Sequence, residues 1–118
     1  MAKYLIVSNS YQLLRITADR VAYIASDGSY STLRLIGGEE HIFSFNLSVF
    51  EKLIEQQLQE EAGIFIRVGR SLIINSCYIY SINLTKQELT LSDLKFPDKF
   101  VLQVSKEALK SLKSVIEI

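Results

Sequence analysis

One histidine, His41, and one cysteine, Cys77, are the whole supply of near-neutral or soft titrating side chains in a chain of 118 residues. General acid–base catalysis needs one titratable group held beside another, and nucleophilic catalysis needs a nucleophile beside a base. His41 follows the acidic pair Glu39-Glu40 at the start of a β run and reads as a solvated strand end rather than a base or a ligand. Cys77 lies in the apolar context Ile74 to Ile79, where a buried thiol acting as a small hydrophobe is expected over a reactive one. No Cys or His cluster has metal-ligand spacing, and Gly63, Gly69 and Gly37-Gly38 fit neither glycine-rich phosphate loop. The acids between 47 and 60 lack the alternating oxygen-ligand loop of a calcium site. An enzyme is therefore the weakest expectation, and no cofactor or metal is implied.

The remaining polar chemistry is cationic, and its distribution is uneven. Lys and Arg number 13 and so do Asp and Glu, giving zero formal net charge. By itself that argues against indiscriminate binding to nucleic acid. From Glu39 to Glu61, however, six acids (Glu39, Glu40, Glu51, Glu55, Glu60, Glu61) face one base, Lys52, leaving twelve bases against seven acids elsewhere. The chain has two electrically different parts.

The elements that must position these charges are mostly strands. Hydrophobic residues make up 48%, charged residues 22%, and there is one proline, the composition of a folded globule. The length suits one domain, 1–118, and not a catalytic domain joined to a regulatory one. A lone cysteine, no secretory signal pattern and no apolar run of roughly 18 to 20 residues predict a soluble cytoplasmic protein without a membrane span. Tyr4–Val7 and Leu13–Ile16 bracket Ser8-Asn9-Ser10 and predict an N-terminal hairpin within 1–16. Arg20–Ser26 and Ser31–Ile36 join across Asp27-Gly28, a dipeptide suited to tight turns, and His41–Phe45 is a further strand. Leu47, Phe50, Leu53, Ile54, Gln57 and Leu58 recur at helical spacing, predicting a helix over 47–60 capped by Asn46 or Ser48. Ile64–Val68 reads as a strand, and 71–76 as either strand or helical turn. Tyr78–Leu84 and Glu88–Ser92 form a hairpin, Phe100–Val104 a strand, and Ser105 caps a closing helix striped by Ala108, Leu109, Leu112, Val115 and Ile116. The fold class is mainly β with two α-helices.

Three segments, in this order, resemble the LytTR family of bacterial DNA-binding domains over most of the chain, about residues 20–116. Val21–Leu35 reads VAYIASDGSYSTLRL, like the family's strand, Asp-Gly turn, aromatic and Thr-containing strand. Phe65–Ile79 reads FIRVGRSLIINSCYI, similar to its most specific signature, F-x-R-x-x-R-S followed by three hydrophobic residues, N-x-x-x-I. Leu89–Leu112 reads LTLSDLKFPDKFVLQVSKEALKSL, like its hairpin, V-S-basic junction and last helix. Departures are Gly69, where histidine is frequent, and Lys106-Glu107, where two bases are common.

The resemblance implies an elongated β-sheet fold that lies along double-stranded DNA and reads successive major grooves with loop residues, where most DNA readers use a recognition helix. Carried onto this chain, base contacts fall to Tyr30 or its neighbour Ser29, to Arg70 and to Lys106; for Tyr30 the competing expectation is a cross-strand aromatic packed into the sheet. A guanidinium can bond guanine O6 and N7 together, worth about 1–3 kcal/mol of discrimination. Arg67 is expected to reach a phosphate or to form a structural ion pair. Ser105, besides capping its helix, is a phosphate-contact candidate, as are Lys95 and Lys99 beside Pro97. With the acidic 39–61 stretch turned away, the basic remainder is free to face phosphates.

Family members often follow a phosphoacceptor receiver domain, for which this chain has no space, so a free-standing transcriptional regulator, an output domain controlled from outside, is expected. Paired half-sites make a homodimer the natural assembly. The rival expectation is a non-catalytic protein-interaction module that keeps the fold and has lost DNA binding. The neutral net charge and the apolar stretch Val115-Ile116-Glu117-Ile118 motivate it, with a regulatory protein as partner.

Overall fold

In the computed structural model, which describes residues 3–97 and 99–117, side chains alternate in and out of ten short strands that make three antiparallel sheets. The first sheet is the hairpin of β1 (Tyr4–Ser8) and β2 (Leu13–Thr17), turned by Asn9, whose side-chain oxygen accepts from the N–H groups of Tyr11 and Gln12 at 2.9 Å each. Met1 and Ala2 of the expected hairpin segment lie outside the described residues. The second sheet has five strands in the order β5-β4-β3-β7-β6, made by β3 (Val21–Ser26), β4 (Ser31–Leu35), β5 (Glu40–Phe43), β6 (Phe65–Val68) and β7 (Leu72–Asn75). The third joins β8 (Ile79–Asn83), β9 (Glu88–Ser92) and β10 (Lys99–Gln103) in the order β10-β9-β8. The helices are α1 (Leu47–Leu58) and α2 (Lys106–Ile116).

The five-stranded sheet is the middle layer, because β3 and β7 carry apolar side chains on both faces. A register shift between Val21 and Tyr23 places Val21 and Ile24, three apart, in one core, while Ala22 and Tyr23 enter the other. In β7, Ile73 joins the first core, and Leu72 and Ile74 the second. The first core lies under α1 and the hairpin, with Leu5, Val7, Phe43, Phe50 and Ile54 at its centre. The second lies under α2 and the three-stranded sheet, with Leu89, Leu91, Leu109 and Leu112 fully or almost fully buried. The molecule measures 42 × 32 × 27 Å along its principal axes.

Helix α1 starts where Asn46 Oδ1 accepts from the Val49 N–H at 3.1 Å. It stops two residues before the expected Glu60: Gln59 takes a positive φ of 52°, and 59–64 continue as a tighter 3-10 stretch. Gln57 then holds β1 from the side, its Oε1 accepting from Ile6 N at 2.6 Å and its Nε2 donating to Ile6 O at 3.0 Å. The carboxamide serves as a strand partner for an edge that would otherwise be open.

Segment 71–76 resolves into β7 and a 3-10 turn at 76–78. Asn75, 1% exposed, ends the strand. Its Nδ2 donates to the carbonyls of Ala18 (3.2 Å) and Val21 (3.0 Å), and its Oδ1 accepts from Cys77 N at 3.0 Å. The turn it caps lifts Cys77 out of the sheet, so the thiol is exposed and not the buried hydrophobe expected from its apolar neighbours. His41, expected as a solvated strand end, is instead largely covered, its side chain 22% exposed and its Nε2 3.4 Å from a Glu39 carboxylate oxygen.

Two consequences can be measured. Asn75→Ala leaves two buried carbonyls and one N–H without their partner and should cost about 2–4 kcal/mol in urea unfolding, more than an average surface change. Tyr78 donates its hydroxyl to the Asp19 carbonyl. Burial pushes its phenol above the usual value, with the charges of Asp93, Asp19 and Cys77 adding to the rise. A raised folded-state pKa means stability that is present below the unfolded value, about 10, and lost as pH climbs beyond it. Unfolding at about pH 8 and pH 11 should show that alkaline loss, and Tyr78→Phe should reduce it.

Candidate functional site

Strand pairing decides which turns are neighbours. β3 and β7 run antiparallel with Ala25 opposite Leu72, and one step further Ser26 N donates to Ser71 O at 2.8 Å. The β3–β4 turn (27–30) and the β6–β7 turn (69–71) therefore leave the middle sheet side by side at one end. The first is closed by Asp27 N donating to Tyr30 O at 3.1 Å, with Gly28 at φ +100°. Both Ser29 and Tyr30 are exposed, the phenol ring by 54%, so Tyr30 is not a packed cross-strand aromatic.

In the second turn Gly69 has φ +65°, a conformation that side chains with a Cβ rarely adopt. Directly after it stands Arg70, exposed and without a carboxylate partner among the described residues. A Cβ built on Gly69 would lie 3.6 Å from the Cβ of Ala108 in the first turn of α2, so the turn abuts that helix. Ser105 caps α2 by accepting from Ala108 N at 3.3 Å, and Lys106 and Glu107, both exposed, form its first residues. A groove of about 470 Å³ between β6 and α2 is lined by Arg70, Ser105 and Glu107 together with Val68, Leu112 and Val115. Ser29, Tyr30, Arg70, Ser105 and Lys106 thus share one end of the molecule.

Lys95 and Lys99 do not join them. β10 runs from Lys99 to Gln103 before reaching Ser105, so one strand length, about 14 Å, separates the lysines from the α2 junction. Their loop packs instead toward the β4–β5 turn, where a Cβ on Gly37 would meet Phe96 at 3.9 Å. The Lys99 ammonium sits 5.0 Å from the centre of the Tyr80 ring, a cation–π contact. This far end also carries Glu39 and Glu40, the latter paired with Arg34 at 2.6 Å.

Arg67 is occupied at both ends of its guanidinium. One nitrogen pairs with the Glu51 carboxylate on α1, and the other donates to the Arg70 carbonyl at 2.7 Å. Of the two expectations for this residue, the structural ion pair is the one present. Glu51 was not legible as its partner: it sits 16 positions away on a helix face that the sequence marks only as polar.

Three antiparallel sheets with two helices, and two turns and the capped start of α2 gathered at one end, define a mainly β module with a polar rim. The model of the LytTr DNA-binding domain family matches residues 11–117, and the chain belongs to that family. The match takes in β2 as well as the stretch from Arg20 onward. Among solved structures, the chain is similar to the LytTr DNA-binding domain of a Bacillus cereus protein described as a methyl-accepting/DNA response regulator. Identity is 17%, coverage 98% of each chain, and the TM-score 0.66, a likeness of fold. No curated protein matches the chain in sequence. LytTr domains are DNA-binding domains, so the chain is a DNA-binding module by family, and no helix among its described residues is long and apolar enough to cross a membrane.

Gly69→Ala tests the backbone demand of the second turn separately from its space. The added methyl would meet Ala108 at an ordinary van der Waals distance, so the cost is that of the positive φ alone, about 1–2 kcal/mol. Thermal or urea unfolding measures it; no loss of stability would mean that the turn relaxes freely.

Proposed function

We propose that this protein is a sequence-specific, non-catalytic transcriptional regulator that reads double-stranded DNA with the end of the middle sheet. Arg70 and Lys106 enter the major groove, and Tyr30 or Ser29 contacts a third position. Ser105 bonds a phosphate oxygen. The observation that carries this reading is Arg70 itself: an exposed guanidinium with no carboxylate partner among the described residues, on a glycine-turned strand end beside the capped start of α2. The planar fork fits guanine O6 and N7, while Lys106 offers a point charge and so discriminates less sharply.

The electrostatics suit the same reading. Glu39 and Glu40 stand at the far end and Glu51 is spent on Arg67, which leaves Asp27 and Glu107 as the acids near the turn end, neither of them ion-paired with Arg70 or Lys106 among the described residues. Lys95 and Lys99, at that far end, stand outside the base-reading cluster; phosphate contact by them would need the duplex to run along the whole sheet. Cytoplasmic location in a bacterium and action as a homodimer on paired half-sites go with this role. A second reading, a protein-interaction module, is favoured by exposed apolar side chains at two separate places, Tyr11 (94% exposed) and Leu13 (64%) on the hairpin and Val115 (69%) on α2.

Arg70→Ala should keep the fold and weaken binding to a selected duplex by about 1–3 kcal/mol, with little change on a random duplex. Equal loss on both duplexes would make Arg70 a phosphate contact. A wild-type protein that ignores any duplex at low salt would favour the interaction module. Lys106→Ala should cost less than Arg70→Ala, and log affinity should fall with log salt at about −0.9 per phosphate neutralised.

A further inference from the structure

We infer that Arg67 is a positioning residue for Arg70 and not a phosphate contact: its guanidinium locks the β6–β7 turn to α1, so that the reading side chain leaves the sheet in one direction. The inference rests on the reading of Arg70 given above. Alternation along β6 sends Ile66 and Val68 toward α2, while Phe65 packs on the α1 side with Arg67. From that side Arg67 spans two elements. One nitrogen holds the Glu51 carboxylate on α1, and another donates to the Arg70 carbonyl at 2.7 Å.

The carbonyl is the informative partner. Holding Arg70 O fixes the peptide plane that follows Arg70, and with it the ψ angle that orients the residue's Cα–Cβ bond. On the other side of Arg70, Gly69 at φ +65° is a point of backbone freedom. Without the bond from Arg67, the turn residue meant to present a planar fork would be tethered to a flexible glycine on one side and have no hold on its carbonyl. A fork must meet O6 and N7 in one plane, so loss of orientation costs discrimination more than it costs attraction. Arg67 is matched by Glu51 at bonding distance, with side chains 34% and 40% exposed, so the pair adds little net field toward a phosphate. Only a guanidinium serves both partners at once: the lysine ammonium at this point could follow the carboxylate or the carbonyl, and lacks the fixed fork that reaches both.

The test is a double-mutant cycle read on a selected and a random duplex, together with backbone 15N relaxation of the free protein. Arg67→Lys should weaken specific binding about tenfold, within the range that a bidentate base contact contributes, while random-duplex affinity and salt slope stay at wild-type values. Glu51→Gln, which leaves α1 its length and cap, should give a smaller loss in the same direction. Arg67→Lys combined with Arg70→Ala should bind no worse than Arg70→Ala alone, because there is nothing left to orient. In the free protein, Arg67→Lys should lower the order parameters of Gly69, Arg70 and Ser71 below the roughly 0.85 of rigid backbone. Arg67→Ala should reproduce the random-duplex affinity of wild type. Equal loss by Arg67→Ala on both duplexes with a salt slope shallower by about 0.9 would overturn the inference and make Arg67 a phosphate contact. Additive losses in the cycle, or unchanged order at Arg70, would overturn it as well. If instead Arg70→Ala alone leaves specific binding intact while the relaxation result holds, the positioning stands and the reading of Arg70 fails.

Discussion

The antiparallel pairing of β3 with β7 is the constraint from which the rest of the structure follows. These two strands are distant in sequence, yet Ile24 pairs with Ile73 at the centre of the sheet and both are almost wholly buried. Because each strand carries apolar side chains on both faces, neither can remain at a surface, and the chain must supply a cover for each face. The hairpin and α1 cover one, and the three-stranded sheet and α2 the other. The same pairing aligns the ends of the strands, so two turns separated by some forty residues of sequence become neighbours through the Ser26–Ser71 hydrogen bond. Function, on this account, is a by-product of register: a slip of one residue between β3 and β7 would bury the wrong faces and part the two turns together.

The second cover contributes the third segment. Helix α2 is held down by Leu109 and Leu112, and its capped start falls beside Gly69 because β10 runs back toward the turn end of the middle sheet. Glycine at 69 and alanine at 108 allow that approach. The exposed side chains of Arg70 and Lys106 flank the contact, and those that make it are small. Rigid layers beneath and polar turns above are the division of labour by which a β scaffold can present side chains where other folds present a helix.

Much of this was legible in the amino-acid order, for reasons that also mark where legibility ended. Clusters of strand-forming residues separated by turn chemistry made the N-terminal hairpin, β4 and β9 stand out, and Asn46 and Ser105 signalled the two helix starts through their capping chemistry. β7 was ambiguous because a strand buried on both sides has no alternation to show. Cys77 was misplaced for a related reason: apolar neighbours imply burial only while the chain stays in the sheet, and Asn75 turns it out. Lys95 and Lys99 resemble the other candidates in type, but pairing across β9 and β10 carries them to the opposite end. The ion pair between Arg67 and Glu51, like the bond from Arg67 to the Arg70 carbonyl, joins segments whose adjacency exists only after folding.

The central claim is that one end of the middle sheet meets the duplex. Its most direct measurement is the map of amide chemical-shift changes in 15N-labelled protein as a selected duplex is added. The account predicts that changes concentrate at Ser29, Tyr30, Gly69, Arg70, Ser105 and Lys106, with Gly37, Gly38 and the outer face of the β1–β2 hairpin little moved. Changes confined to the β4–β5 turn, or to the hairpin around Tyr11 and Leu13, with Arg70 and Lys106 silent, would contradict it.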